Sequence, residues 1–148
     1  MILNSFELNL TEQKIKKIQA TIAEVDNDTS VAPFLLKLEL DSLSVFLNEL
    51  VEERDEFLEI SQKFKHKIPV KKEVLKHPEN LVYIRIANDI SQEDVAALLN
   101  VSTEEVKRQE EYLYRNLDSI SLLKINDFLE EADSNPKCNV TETRFYLK

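Results

Sequence analysis

The 148-residue chain contains no glycine, although average usage of roughly 7% would place about ten in a protein of this length. The absence excludes the phosphate-binding loop, the Gly-rich dinucleotide turn, the nucleophile elbow and the EF-hand loop, which all use glycine's φ > 0 or missing Cβ. Hydrophobic content of 43%, charged content of 32% and a net charge of −9 describe a folded, acidic chain rather than a disordered one.

The charge lies in blocks: a net of −8 over residues 1–62, +5 over 63–78, −8 over 79–133 and +2 over the rest. With only four prolines and many Leu, Ile, Glu and Lys residues, the composition favours helices over tight hairpins. Residues 2–10, ILNSFELNL, alternate apolar and polar and read as a short strand. A helix follows from Thr11, with Ile15, Ile18, Ile22 and Val25 on one face. After the connector DNDTSVAP, Pro33 suits the first turn of a second helix running to about residue 64. There Leu36, Leu40, Leu43, Leu47 and Leu50 alternate spacings of 4 and 3, the seam of a coiled coil, continued by Phe57 and Phe64. A second stripe, Leu35, Leu38, Val45 and Phe46, is more than the shorter helix can cover. Two readings stay open: a hairpin closed within one chain, or a dimerisation module.

Residues 65–78, KHKIPVKKEVLKHP, read as an irregular basic linker with surface histidines at His66 and His77. Short helices follow. PENLVYIRIAND turns Leu81, Ile84 and Ile86 inward. Ser91 caps the next helix with Asp94 in the acidic place of a capping box, and Ser102 with Glu105 repeats the arrangement. Ser119 opens a last helix that offers Leu122, Leu123, Ile125 and Phe128 to a core.

The stretch 92–110, QEDVAALLNVSTEEVKRQE, resembles the helix-turn-helix of the XRE (phage-repressor-like) family. Val95, Ala96 and Leu99 match its first motif helix, with Ala96 small where the helices cross. Val101 and Val106 match the apolar residues that seat the second helix, and Glu110 matches a glutamate that commonly follows. The wider frame is similar to compact regulators with a helical N-terminal hairpin, a group that includes antitoxins of HigA type. The resemblance implies a dimeric regulator that binds double-stranded DNA with the second helix in the major groove. It further implies that Gln92 anchors a phosphate, that Ser102 and Thr103 meet phosphate or base edges, and that Glu104, Lys107 and Arg108 face the groove. Arg115 is then placed for the backbone. Arginine reads guanine through its fork, and glutamate accepts from a cytosine amino group. Two departures stand out: the second helix carries Glu104, Glu105, Glu110 and Glu111 against Lys107 and Arg108, and Gln109 occupies a usually apolar place. Lys71 and Lys72 belong either to a basic arm beside the motif or to a solvated linker.

The turn of such a motif needs a residue able to adopt the left-handed conformation. Without glycine, Asn100 must supply it at φ > 0, and Asn88 or Asp89 does the same before the motif.

Residues 134–148 end in VTETRFYLK, a run of β-formers that reads as a strand pairing with 2–10 or as a docking peptide for a partner such as a toxin. One cysteine, Cys138, and two isolated histidines give no disulfide or zinc site. No nucleophile, base and orienter set is visible, so neither catalysis nor a cofactor is expected. No apolar run approaches a membrane span and the N-terminus lacks a basic, long-apolar signal pattern, so the protein is expected in the cytoplasm. The expected fold is mainly α: a coiled-coil-like helical hairpin over 1–64, a basic linker over 65–78, a four- to five-helix helix-turn-helix domain over 79–133, and short strands at the two termini. The expected function is a DNA-binding transcriptional regulator of XRE type, a class that includes autoregulating antitoxins; the alternative is a protein-interaction module with the same fold whose acidic surface takes a basic partner.

Overall fold

The computed structural model describes residues 1–134, which form seven helices and no strand. The tail strand expected over 134–148 therefore lies outside the described residues, apart from Ser134, which closes the last helix. The chain divides into two compact units, Met1–Glu59 and a second beginning at Ile60. No described helix is long and apolar enough to cross a membrane.

The first unit holds α1 (Ser5–Asp26) and most of α2 (Pro33–Lys63). The strand expected over 2–10 is instead the opening of α1, six residues ahead of the expected start at Thr11. Asn4 is extended at φ −156°, and its Oδ1 accepts from the Glu7 backbone N–H at 2.8 Å. Glu7 Oε2 in turn accepts from the Leu3 N–H at 2.8 Å. The first bond satisfies a donor that the helix start leaves orphaned and the second ties the residue before the cap to the same glutamate; together they override the local alternation. Thr11 is then an interior residue, buried like Ile15. The Met1 ammonium lies 3.5 Å from Glu53, which brings the start of the chain back beside the later part of α2.

The second unit contains α3 (Lys71–Val74), α4 (Glu79–Ala87), α5 (Gln92–Leu99), α6 (Thr103–Glu111) and α7 (Ser119–Ser134). The segment expected to be an irregular linker belongs to this unit: its middle forms the single turn of α3, with Val74 buried at 1% exposure. Burial of Val74 and packing of α3 on α4 and α7 explain that turn, which no sequence periodicity marked. Alongside it, Phe64 meets Tyr83 with ring centroids 5.2 Å apart, and Lys67 stands 5.1 Å over the Phe64 ring. The core gathers Leu81, Val82, Ile84 and Ile86 from α4, Val95 and Ala96 from α5, Val106 from α6, and Leu122, Ile125 and Leu129 from α7. Val101, expected to seat α6, is 41% exposed.

Three successive helices end the same way. In each, a left-handed residue follows the last turn and two backbone N–H groups fold back onto helix carbonyls, the Schellman arrangement. Asp89 (φ 54°) closes α4, with bonds Ile90 N to Arg85 O and Asp89 N to Ile86 O. Asn100 (φ 57°, ψ 45°) closes α5, with Val101 N to Ala96 O and Asn100 N to Ala97 O. Leu113 (φ 53°) closes α6, with Tyr114 N to Gln109 O and Leu113 N to Glu110 O. Asn88 stays outside this region at φ −102°, so Asp89 alone makes the first turn. A left-handed conformation costs an ordinary L-residue roughly 1–2 kcal/mol, least for Asn and Asp. Replacing Asn100 with Gly is therefore expected to hold or raise stability, and Asn100→Ala to lower it by about 1 kcal/mol. Urea unfolding of the two variants checks this; an alanine variant as stable as the parent contradicts it.

Candidate nucleic-acid interface

The geometry of α6 is set from its buried side. Glu110 is wholly buried, and its carboxylate accepts four hydrogen bonds, two on each oxygen. Oε1 accepts from Arg85 Nε at 2.6 Å and from the Tyr114 hydroxyl at 2.7 Å. Oε2 accepts from Arg85 Nη2 at 2.7 Å and from Gln92 Nε2 at 2.7 Å. Arg85, 2% exposed, also donates from Nη1 to the Ile90 carbonyl at 2.8 Å. One carboxylate thus ties α4, the first residue of α5, α6 and the turn after it. Burying two charges is offset only where their remaining donors and acceptors are satisfied, and this bidentate fork with two further donors meets that condition.

Two sequence expectations change here. Gln92, expected to anchor a phosphate, is 3% exposed, and its amide nitrogen is directed inward to Glu110. Glu110, counted with the negative charges of a solvated helix face, is an internal counter-ion to Arg85. Neither Arg85 nor Tyr114 was singled out in the sequence. The signal for Arg85 was present: in LVYIRIA it follows Leu81 and Val82 by four and three residues, on a face that is otherwise apolar.

On the side of α6 away from Val106, Glu104, Lys107, Arg108 and Glu111 are exposed, with Arg115 exposed just beyond. Ser102 is extended and caps α6, its Oγ accepting from the Glu105 N–H at 3.2 Å. Thr103 is half-buried beside it. Arg108 donates to Glu105 Oε2, and Gln109 Nε2 donates to Glu105 Oε1 at 2.8 Å. The Arg108 and Gln109 hydrogen bonds hold the Glu105 carboxyl below the usual range, and Glu105 holds the guanidinium more firmly protonated. With Glu110 removed to the interior and Glu105 engaged by Arg108, this face is close to charge balance. Lys71 and Lys72, read either as a basic arm or as a solvated linker, lie on α3, which packs on α4 and α7, whereas α6 packs on α5. Lys71 Nζ lies 3.1 Å from Asp127 on α7, whose carboxyl it lowers, and Lys72 is exposed on the same short turn. Among the described residues no group of three His, Cys, Asp or Glu side chains is placed to hold a metal ion.

No family model, curated protein or solved structure matches this chain.

Removing the carboxylate leaves Arg85 buried without its partner, so Glu110→Ala is expected to cost about 3–5 kcal/mol in urea unfolding. Loss of less than 1 kcal/mol would mean that the pair behaves as a surface one. Burial first, then the Glu110 charge and hydrogen bond, push the Tyr114 phenol well above its ordinary value of 10.0. The folded state therefore keeps the proton that the unfolded chain loses. The stabilisation is full below pH 10 and falls as pH rises above it. Unfolding midpoints followed from about pH 9 to about pH 11 should fall more steeply for the parent than for Tyr114→Phe; parallel curves contradict the assignment.

Proposed function

We propose that this chain is a DNA-binding transcriptional regulator of XRE type, an antitoxin that represses its own operon, with α5 and α6 as its helix-turn-helix. The observation that carries the reading is the pair α5–α6: two short helices, each capped by a serine, joined through a left-handed Asn100 and packed on one another, with Ala96 buried and the outer face of α6 exposed. Of the residues that the resemblance turns toward DNA, Glu104, Lys107, Arg108 and Arg115 are exposed, whereas Gln92 is buried. Lys107 and Arg108 are the base readers, Ser102 and Thr103 stand at the groove edge, and Glu104 accepts from cytosine. Arg115 contacts the backbone. The fold behind this function is a helical hairpin followed by a helix-turn-helix domain, acting as a dimer on paired half-sites.

A second reading is supported by the Glu105–Arg108 pair. A face whose arginine is engaged by its own neighbour, with Glu104 and Glu111 exposed beside it, also suits a basic protein partner. Binding of the full chain to the DNA upstream of its own gene, at graded salt, separates the two. On the DNA reading a sequence-specific complex forms at low salt and Arg108→Ala weakens it by about tenfold or more, the value of one lost base contact. Lys71→Ala/Lys72→Ala should leave it within about twofold, because α3 packs on α4 and α7 while α6 packs on α5. Absence of a specific complex, with Arg108→Ala indistinguishable from the parent, selects the second reading.

Releasing Arg108 should strengthen the complex. Glu105→Gln and Glu104→Gln add the same charge, but only the first frees the guanidinium. Glu105→Gln is expected to gain several-fold more affinity than Glu104→Gln, and Arg108→Ala should erase the difference. Equal gains in the two variants would reduce the effect to net charge.

A further inference from the structure

We infer that the outward face of α2 is the surface on which a second copy of this chain docks, antiparallel, crossing at Ser42. At 100° per residue the seam Leu36, Leu40, Leu43, Leu47 and Leu50 occupies one side of α2. These five are half-buried or buried. On the opposite side lie Phe34, Leu38, Ser42 and Val45, flanked by Leu35 and Phe46. Phe34 is 72% exposed, Leu35 56%, Leu38 50%, Val45 59% and Phe46 49%. Five large apolar side chains within four turns expose on the order of 500 Å², the upper end of what a monomer leaves in water.

Two features select a second copy and fix its direction. Leu38 and Phe46 stand four residues to either side of Ser42, so a two-fold crossing there seats each Leu38 against Phe46 of the other copy. The small Ser42 side chains then let the backbones approach at the centre. Covering both faces removes on the order of 1,000 Å² from water, the threshold of a specific interface. Charge supplies the direction. Past Phe46 the same face continues as Glu49, Glu52 and Glu56, all exposed, with Glu53 beside the Met1 ammonium. Parallel pairing stacks each glutamate on its own counterpart, which costs free energy. Antiparallel pairing at Ser42 sets Glu49 against Leu35 and carries Glu52 and Glu56 past the start of the other copy's α2 at Pro33, so no glutamate meets its own counterpart. The inference names the surface behind the pairing that the regulator reading calls for, and it holds without DNA, so the two fail separately.

The test uses the full chain without nucleic acid. Sedimentation equilibrium should show dimers at about 100 μM or below, and Leu38→Glu/Val45→Glu should weaken association at least tenfold with unchanged helix content by circular dichroism. A parent chain that stays monomeric overturns the inference and leaves the face for a different protein. Dimers untouched by the double substitution overturn it as well. Should that variant lose its helicity, cross-linking decides: in a Cys138→Ser background, Ser42→Cys oxidises to a linked dimer while Phe34→Cys does not. Linkage at both positions means a parallel pair, and linkage at neither means another surface; each result overturns the inference.

Discussion

The second unit depends on one carboxylate. Glu110 has room for about four acceptor contacts, and Arg85, Gln92 and Tyr114 use all of them. A buried ion loses several kcal/mol of hydration, so the arrangement tolerates little rotation of α6: turning the helix breaks four charge-assisted bonds at once. That constraint acts on the opposite face. With Glu110 and Val106 fixed inward, helical geometry leaves Glu104, Lys107, Arg108 and Glu111 outward. The interior ion pair therefore decides which charges α6 presents, and it takes one negative charge off a helix that carries four glutamates.

The same network accounts for the most costly backbone in the unit. Leu113 and Tyr114 are consecutive non-glycine residues at φ 53° and 57°, a conformation that costs each of them about 1–2 kcal/mol. The turn directs Tyr114 back under α6, where its ring is 1% exposed and its hydroxyl reaches Glu110. Burial of an aromatic side chain with a bond to a charged acceptor offsets that strain. At α4 and α5 the same turn is made by Asp89 and Asn100, residues that reach the left-handed region more cheaply. A glycine-free chain ends three helices alike by choosing tolerant residues twice and by strain, compensated through packing, the third time.

What could be read from the sequence was whatever local chemistry decides. Ser91 and Ser102 cap as their spacing to Asp94 and Glu105 indicates, and the leucine periodicity of α2 marks a helix to within one residue of its end. Alternation over 2–10 was a poorer guide because Asn4 and Glu7, three apart, form a stronger local signal than a period of two. Single residues inside the core were harder. Gln92 and Glu110 are polar, and polarity alone assigns them to solvent; only Arg85, twenty-five residues away, turns Glu110 inward. The single turn of α3 escaped for a related reason, since one buried valine and its neighbours on α4 and α7 hold it.

The net charge of −9 bears less on nucleic-acid binding than it first suggests. At physiological ionic strength charges are screened beyond about 8 Å, so the residues beside a ligand decide the field it meets. On the outer face of α6 the Glu105–Arg108 pair is neutral within itself, and Glu104 and Glu111 are set against Lys107 and Arg115. Such a surface attracts phosphates weakly, and weak phosphate attraction means little non-specific binding and a shallow dependence on salt. Under the proposed function, affinity then has to come from base contacts and from the pairing of two half-sites. A weak single reader is useful when it is doubled: two linked contacts gain by effective concentration what neither has alone. If the proposed function and the inferred pairing both hold, the apolar face of α2 would supply the doubling that the modest electrostatics of α6 demand.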